Sequence, residues 1–121
     1  MPIYDLEERT AKLAEKIIDL VKVLPKNCVN KRIISQLVAS SGSIGANYCE
    51  ANEAESKKDF VHKIKIAKKE IKETKHWLRL LARTDNVHIE DIRKIWLETD
   101  ELLLIFSKIV ISSNKSKPLE T

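Results

Sequence analysis

The sequence predicts an all-α protein, an antiparallel up-down-up-down four-helix bundle, and three observations carry that prediction. Only two glycines and three prolines stand among the 121 residues, too few turn formers for a many-stranded β domain, which needs a turn about every 8–12 residues. Aromatic residues make up 5%, while Leu, Ile, Lys, Glu and Ala carry much of the chain and favour long helices. Apolar residues recur at three- and four-residue steps, the spacing that lines one face of a helix. A chain of this length has room for one hydrophobic core and not for two.

The elements follow in order. Leu6, Thr10, Leu13, Ile17, Leu20 and Leu24 form the first stripe. Asp5 before it, with Glu8 three residues on, has the form of a helix cap, and Pro25 stops the pattern, so a first helix over about residues 5–24 is expected. After a short Lys26-Asn27-Cys28 link, Ile33, Leu37, Ile44, Tyr48 and Ala51 mark a second helix over about 29–54. Its stripe skips at Ser40-Ser41-Gly42-Ser43. Gly42 and Gly45 each cost about 1 kcal/mol relative to Ala in a helix interior, and close approach of a neighbouring helix is the simplest compensation.

Ser56, with Asp59 at the third position, opens a third helix over about 56–84. Its stripe is Phe60, Ile64, Ala67, Ile71, Thr74, Leu78 and Leu81. Asp85-Asn86 breaks that pattern. Ile89, Ile92, Trp96, Thr99, Leu103, Phe106 and Val110 then give a fourth helix over about 89–111. Residues 1–111 thus form the bundle, with links short enough for antiparallel neighbours. Residues 112–121 are polar, contain Pro118 and are expected to be a flexible tail.

Two helices carry more apolar surface than one core needs. Helix 4 has a second line, Ile95, Leu102, Ile105 and Ile109, and helix 3 has Ile66, Trp77 and Leu80 off its core line. A second apolar stripe suggests burial against another copy of the chain, so these seven residues are the candidate oligomer interface.

The formal net charge of +4 conceals an uneven distribution. Residues 1–28 are neutral, 29–55 carry −1, 56–84 carry +7, 85–111 carry −3 and 112–121 carry +1. On a wheel at ~100° per residue, one arc of helix 3 holds Lys57, Lys58, Val61, Lys65, Lys68, Lys69, Lys72, Lys75, His76, Arg79 and Arg83. Nine of these eleven are Lys or Arg and none is acidic; Asp59, Glu70 and Glu73 lie on the opposite flank with Ile66 and Trp77. An ordinary solvated face mixes both signs for i,i+4 pairing. A stripe of one sign ~39 Å long is suited to a phosphate backbone, and any such binding would fall steeply with salt. Solubility, or pairing with the acidic helix 4 of a neighbouring copy, would also account for it. No aromatic residue interleaves the stripe on helix 3, so low sequence specificity without base stacking is expected.

On helix 2, Gln36, Ser40, Ser43, Asn47 and Glu50 step by 4, 3, 4 and 3 as a polar line, expected to be a buried polar network at a close helix contact. A catalytic centre is not legible. Glu73-Thr-Lys-His76 has the Glu-x-x-His spacing of di-iron bundles, but those need a second motif on another helix, and Asp59-Phe-Val-His62 lies on the same helix. His88 sits near a turn with no evident partner. There is no Gly-rich phosphate loop and no HExxH motif. The expectation is a non-enzyme without metal, cofactor or small-molecule substrate. Cys28 and Cys49 match no metal or redox motif and read as free thiols of a reducing compartment. The N-terminus is polar and acidic, unlike a signal peptide, and no apolar run approaches the ~18 residues of a membrane span. A cytoplasmic protein without membrane contact is expected.

The segment Gln36-Leu37, Ser40, Ser43-Ile44, Ala46-Asn47 and Glu50, followed by Lys57-Lys58-Asp59-Phe60-Val61-His62-Lys63-Ile64-Lys65-Ile66-Ala67 and Lys69-Glu70-Ile71-Lys72-Glu73-Thr74-Lys75-His76-Trp77-Leu78-Arg79-Leu80, resembles the bacterial four-helix-bundle proteins named for reading frames in 23S rRNA intervening sequences. The resemblance covers nearly the whole chain and is most specific over residues 36–82. It implies an antiparallel bundle and a ring-like homopentamer. A related group, the accessory variability proteins of diversity-generating retroelements, implies a basic pentameric barrel that binds nucleic acid. The family name records a genomic location. Many relatives carry Arg after Gln-Leu, where this chain has Val38 and Ala39, so an RNA contact made there in relatives would here be missing or fall to helix 3. Many also carry Gly after the Glu, where this chain has Ala51, which implies that helix 2 runs smoothly to about Asn52.

Overall fold

The protein's structure is a computed structural model, described here over residues 5–115. Four helices occur in it, α1 (Leu6–Lys22), α2 (Cys28–Asn52), α3 (Lys57–Thr84) and α4 (Ile89–Lys115), with no strand among the described residues. Each helix packs on its two neighbours around a square, most closely between α2 and α3 and least between α1 and α4. The pairs Thr10 with Gly45, Ser40 with Thr74 and Lys75 with Asp100 give an antiparallel register throughout.

Local chemistry sets the helix ends. Asp5 accepts the Glu8 N–H at 3.1 Å, Asn27 the Asn30 N–H at 2.9 Å and Ser56 the Asp59 N–H at 3.0 Å, each satisfying a donor that the first helical turn leaves open. The Asn27 cap starts α2 at Cys28, so Cys28 belongs to the helix and not to the link. α1 stops at Lys22, two residues before the expected end. Leu24 precedes Pro25 and is disfavoured in α geometry; Val23 and Leu24 instead donate to Leu20 and Val21 in tighter i→i−3 bonds. The Lys26 ammonium donates to the Val21 and Leu24 carbonyls at 2.6 and 3.0 Å, covering acceptors at this end. α2 ends at Asn52 in the same way, through Glu53 and Ala54.

At the other extreme α4 outruns its expected end. Ser112, Ser113 and Asn114 continue the helix to Lys115, because no residue before Pro118 lacks a backbone donor and buried Val110 anchors the last turns. That part of the expected tail is helical, and residues 116–121 lie outside the described residues.

Ile17, Leu37, Ile44, Ile64, Ile71, Leu78, Leu81, Leu102 and Phe106 are fully buried. The Tyr48 ring meets Phe106 edge-on at 5.7 Å. Of the two glycines, only Gly45 answers to close approach: a Cβ there would lie 3.1 Å from Thr10 Oγ1. A Cβ at Gly42 would meet nothing within 4 Å, so close packing does not explain that residue.

Candidate nucleic-acid interface

The basic stripe is a consequence of how α3 is buried. Ile64, Ala67, Ile71, Thr74, Leu78 and Leu81 point inward, and that line fixes the rotation of the whole helix. Lys57, Lys58, Lys65, Lys69, Lys72, Arg79 and Arg83 are consequently exposed, with Lys68 and Lys75 half-buried. Among the described residues, Lys58, Lys65, Lys68, Lys72, Arg79 and Arg83 have no acidic partner at ion-pair distance. Lys75 does: its ammonium lies 2.6 Å from Asp100 Oδ1 on α4. The acidity of helix 4 thus neutralises the stripe at one point, within the same chain.

Lys75 also lies 4.6 Å from the centroid of the Trp96 ring, a cation–π contact. No aromatic residue interleaves the stripe on α3, but one stands beside it. The packing of α4 on α3 brings one to it, and the sequence reading missed Trp96 because its spacing placed it on the core line. Trp96 is in fact half-buried. With Leu78, Ile92 and Leu97 it lines a groove of about 580 Å³ between α3 and α4, flanked by Arg79 and Arg93.

On the other flank of α3 the charges are handled differently. Lys63 donates to Glu50 of α2 at 2.7 Å, a contact that raises the Lys63 pKa above its ordinary value. Burial, and then the charge of Glu73 and a hydrogen bond with it, push the Glu70 carboxyl above the usual carboxylate range. Trp77 is half-buried beside His76, the rings meeting edge-on at 5.0 Å, and its indole N–H is buried without an acceptor among the described residues.

Two expected groupings do not survive the packing. The polar line of α2 is not a buried network. Gln36, Ser43 and Asn47 are half-buried and Glu50 is exposed; Ser43 and Asn47 bond back to their own helix, at Ala39 and Ser43 carbonyls. Only Ser40 is buried, sharing a 2.9 Å hydrogen bond with Thr74 of α3. The reason is rotation: the α2–α3 contact passes through Ser40, leaving the rest of the line toward solvent.

The candidate oligomer interface divides likewise. Ile95, Leu102 and Ile105 are 6%, 0% and 8% exposed and belong to the chain's own core, because a helix in a square bundle buries an arc wide enough to face two neighbours. Ile109 packs against that core, as does Trp77. Ile66 is half-buried and Leu80 is 36% exposed. The apolar residues α4 does present to solvent are Leu97, Leu104 and Ile111. Their seven-residue repeat was visible in the sequence.

His88 has a partner after all: Asp85, itself buried, accepts from its backbone N–H at 3.1 Å and contacts Nδ1 at 2.9 Å. Among the described residues no cluster of three His, Cys, Asp or Glu could hold a metal ion. Cys28 and Cys49 are exposed free thiols near opposite ends of α2. Among the described residues no helix is long and apolar enough to cross a membrane. The looser α1–α4 seam is pinned by Arg9, which donates to both carboxylate oxygens of Glu98 at 3.1 and 2.9 Å and also pairs with Glu101 at 3.2 Å. The Glu98 hydrogen bond raises the Arg9 pKa further.

A family model of 23S rRNA-intervening sequence proteins matches residues 4–108. Among solved structures, the chain is similar to a Bacteroides thetaiotaomicron protein of unknown function from the S23 ribosomal protein family. The two are 34% identical with a TM-score of 0.75, over 86% of this chain and 96% of the other. No curated protein matches the sequence.

Proposed function

The chain belongs to the 23S rRNA-intervening sequence protein family, and from that premise we propose that it is a non-enzymatic helical protein whose α3 stripe binds nucleic acid with low sequence specificity. One observation carries this reading: six Lys and Arg side chains along α3, from Lys58 to Arg83, stand without an acidic partner among the described residues. Unpaired like charges on one helix repel one another, and a row of phosphates removes that cost. The stripe is long enough to meet several phosphates and made mostly of lysines, which act as point charges rather than readers of base edges.

Fluorescence anisotropy with a structured RNA and a duplex DNA at two salt concentrations tests it. Micromolar or tighter binding is expected, with log affinity falling as log salt rises by about 0.7–0.9 per phosphate contacted. Binding that is absent or indifferent to salt would contradict the reading.

A second reading, a structural or adaptor homo-oligomer that holds a protein partner, is supported by Leu97, Leu104 and Ile111, which leave an apolar line on the outer face of α4. The two are compatible, since a ring would repeat the basic stripe once per copy. The family resemblance suggests a homopentamer, and the free thiols Cys28 and Cys49 suit a reducing, cytoplasmic setting. Light scattering should give a particle several times the mass of one chain, reduced by Leu104→Glu with Ile111→Glu. A particle of one chain's mass would exclude the oligomer.

A further inference from the structure

We infer that the groove over Trp96 is a subsite for an unpaired nucleobase of a single-stranded nucleic acid, an inference that rests on the nucleic-acid reading of the α3 stripe. A phosphate-binding stripe accounts for the lysines but not for an apolar groove of about 580 Å³ opening beside them. That volume falls within the usual range of small-molecule sites. Its floor is apolar, formed in part by Leu78 and Ile92, its aromatic surface is Trp96, and its rims carry Arg79 from α3 and Arg93 from α4.

Each part suits a different part of a nucleotide. The indole, over which the Lys75 ammonium lies 4.6 Å from the ring centroid, and the Leu97 side chain line the groove, and a base entering there packs against them. A guanidinium grips phosphate in two-pronged fashion and also stacks on planar rings. Arg79 is one helical turn from Lys75 and continues the row of cations, so a strand on the stripe passes the mouth of the groove. No acidic residue lines it, and the one carboxylate on Arg93, from Glu90 at 3.2 Å, is an exposed pair that contributes little in water.

A duplex does not fill this site, because its base faces are already stacked inward and only its backbone can meet α3. A single strand can turn a base away from its backbone into the groove. The distinction assigns the protein a preference within nucleic acids, for unpaired over paired segments, that charge alone would not produce. Leu104 and Ile111 lie one and two heptads beyond Leu97 on α4, so the groove and the apolar line are separable by mutation.

The test compares three labelled probes of equal length by anisotropy: a thymidine strand, a strand with the same phosphates but abasic sugars at its central positions, and a duplex. The thymidine strand should bind the wild-type protein at least about fivefold more tightly than the abasic strand, since stacking on one aromatic changes affinity by about 5- to 150-fold. The gap should close in Trp96→Leu and persist in Trp96→Phe. In a Trp77→Phe chain, where Trp96 is the remaining tryptophan, its fluorescence should be quenched by the thymidine strand and not by the abasic one. Equal affinity for the two strands in the wild-type protein would overturn the inference while leaving phosphate binding intact, and needs no variant to fold. Absence of binding to all three probes would overturn both.

Discussion

The inward line and the outward stripe of α3 share one helix and differ in what their residues require. Inward, Ile64, Ile71, Leu78 and Leu81 are fully buried and Thr74 has its hydroxyl paired with Ser40 and with the Glu70 carbonyl; every group there has a neighbour in the chain. Outward, lysine follows lysine, and from Lys58 to Arg83 six cations have no acidic partner among the described residues, whereas Lys75 pairs with Asp100. The half-buried flank between them is intermediate, with Lys63 matched to Glu50 but Glu70 set against Glu73. The difference teaches that the inward line is satisfied within the chain, whereas most cations of the outward stripe have no acidic partner among the described residues, the role that the proposed nucleic acid would fill.

Substitutions on either side sharpen that division. The largest effect on stability belongs to the inward line. Ile71→Ala, at a fully buried position away from the groove, should cost about 2–5 kcal/mol through lost burial and a residual cavity, read as a lower urea midpoint, with nucleic-acid affinity unchanged where the chain remains folded. Reversing Lys65, Lys68, Lys72 and Arg79 to Glu should do the opposite: affinity falling by about 100-fold or more and the salt dependence flattening, while the urea midpoint moves by less than about 1 kcal/mol equivalent. If the reversal unfolds the protein, or leaves binding intact, the comparison between the two sides fails.

Smaller effects test the boundaries. Thr74→Val keeps the shape but removes the hydroxyl paired with Ser40, and should cost about 1 kcal/mol in a denaturant titration. The smallest is at Glu70. Its folded-state pKa is raised, so folding favours its protonated form. The resulting penalty is absent below the unfolded carboxylate value and grows as pH rises through the raised folded value, and it is present at neutral pH. Glu70→Gln should therefore raise Tm by about 1 °C at pH 7 and leave it unchanged near pH 4; a loss of stability at pH 7 would show that the carboxylate is better solvated than its burial implies.

Much of this was legible from residue spacing. The four helices, the caps at Asp5 and Ser56 and the face of α3 that carries charge all depend on sequence neighbours three or four residues apart, which a helix places in contact. What spacing could not supply is the partner across an interface. Ile95, Leu102 and Ile105 looked superfluous to the core because a wheel shows one helix at a time, whereas α4 is buried against α1 and α3 together. The polar line Gln36 to Glu50 looked like a network for the same reason. Gly42 and Gly45 are alike in the sequence and different in the fold, since only one stands opposite Thr10.

The sequence by itself determined the fold class, the approximate extent of each helix and the asymmetry of charge, because periodicity and capping are local properties of a chain in water. The tertiary structure alone decided which of those lysines found an acid, which apolar residues stayed at the surface, and that Trp96 of one helix stands beside Lys75 and Arg79 of another. Those facts turn on the rotation and register of packed helices. Register is set by the sum of all side-chain contacts between elements far apart in the chain, and no local pattern contains that sum.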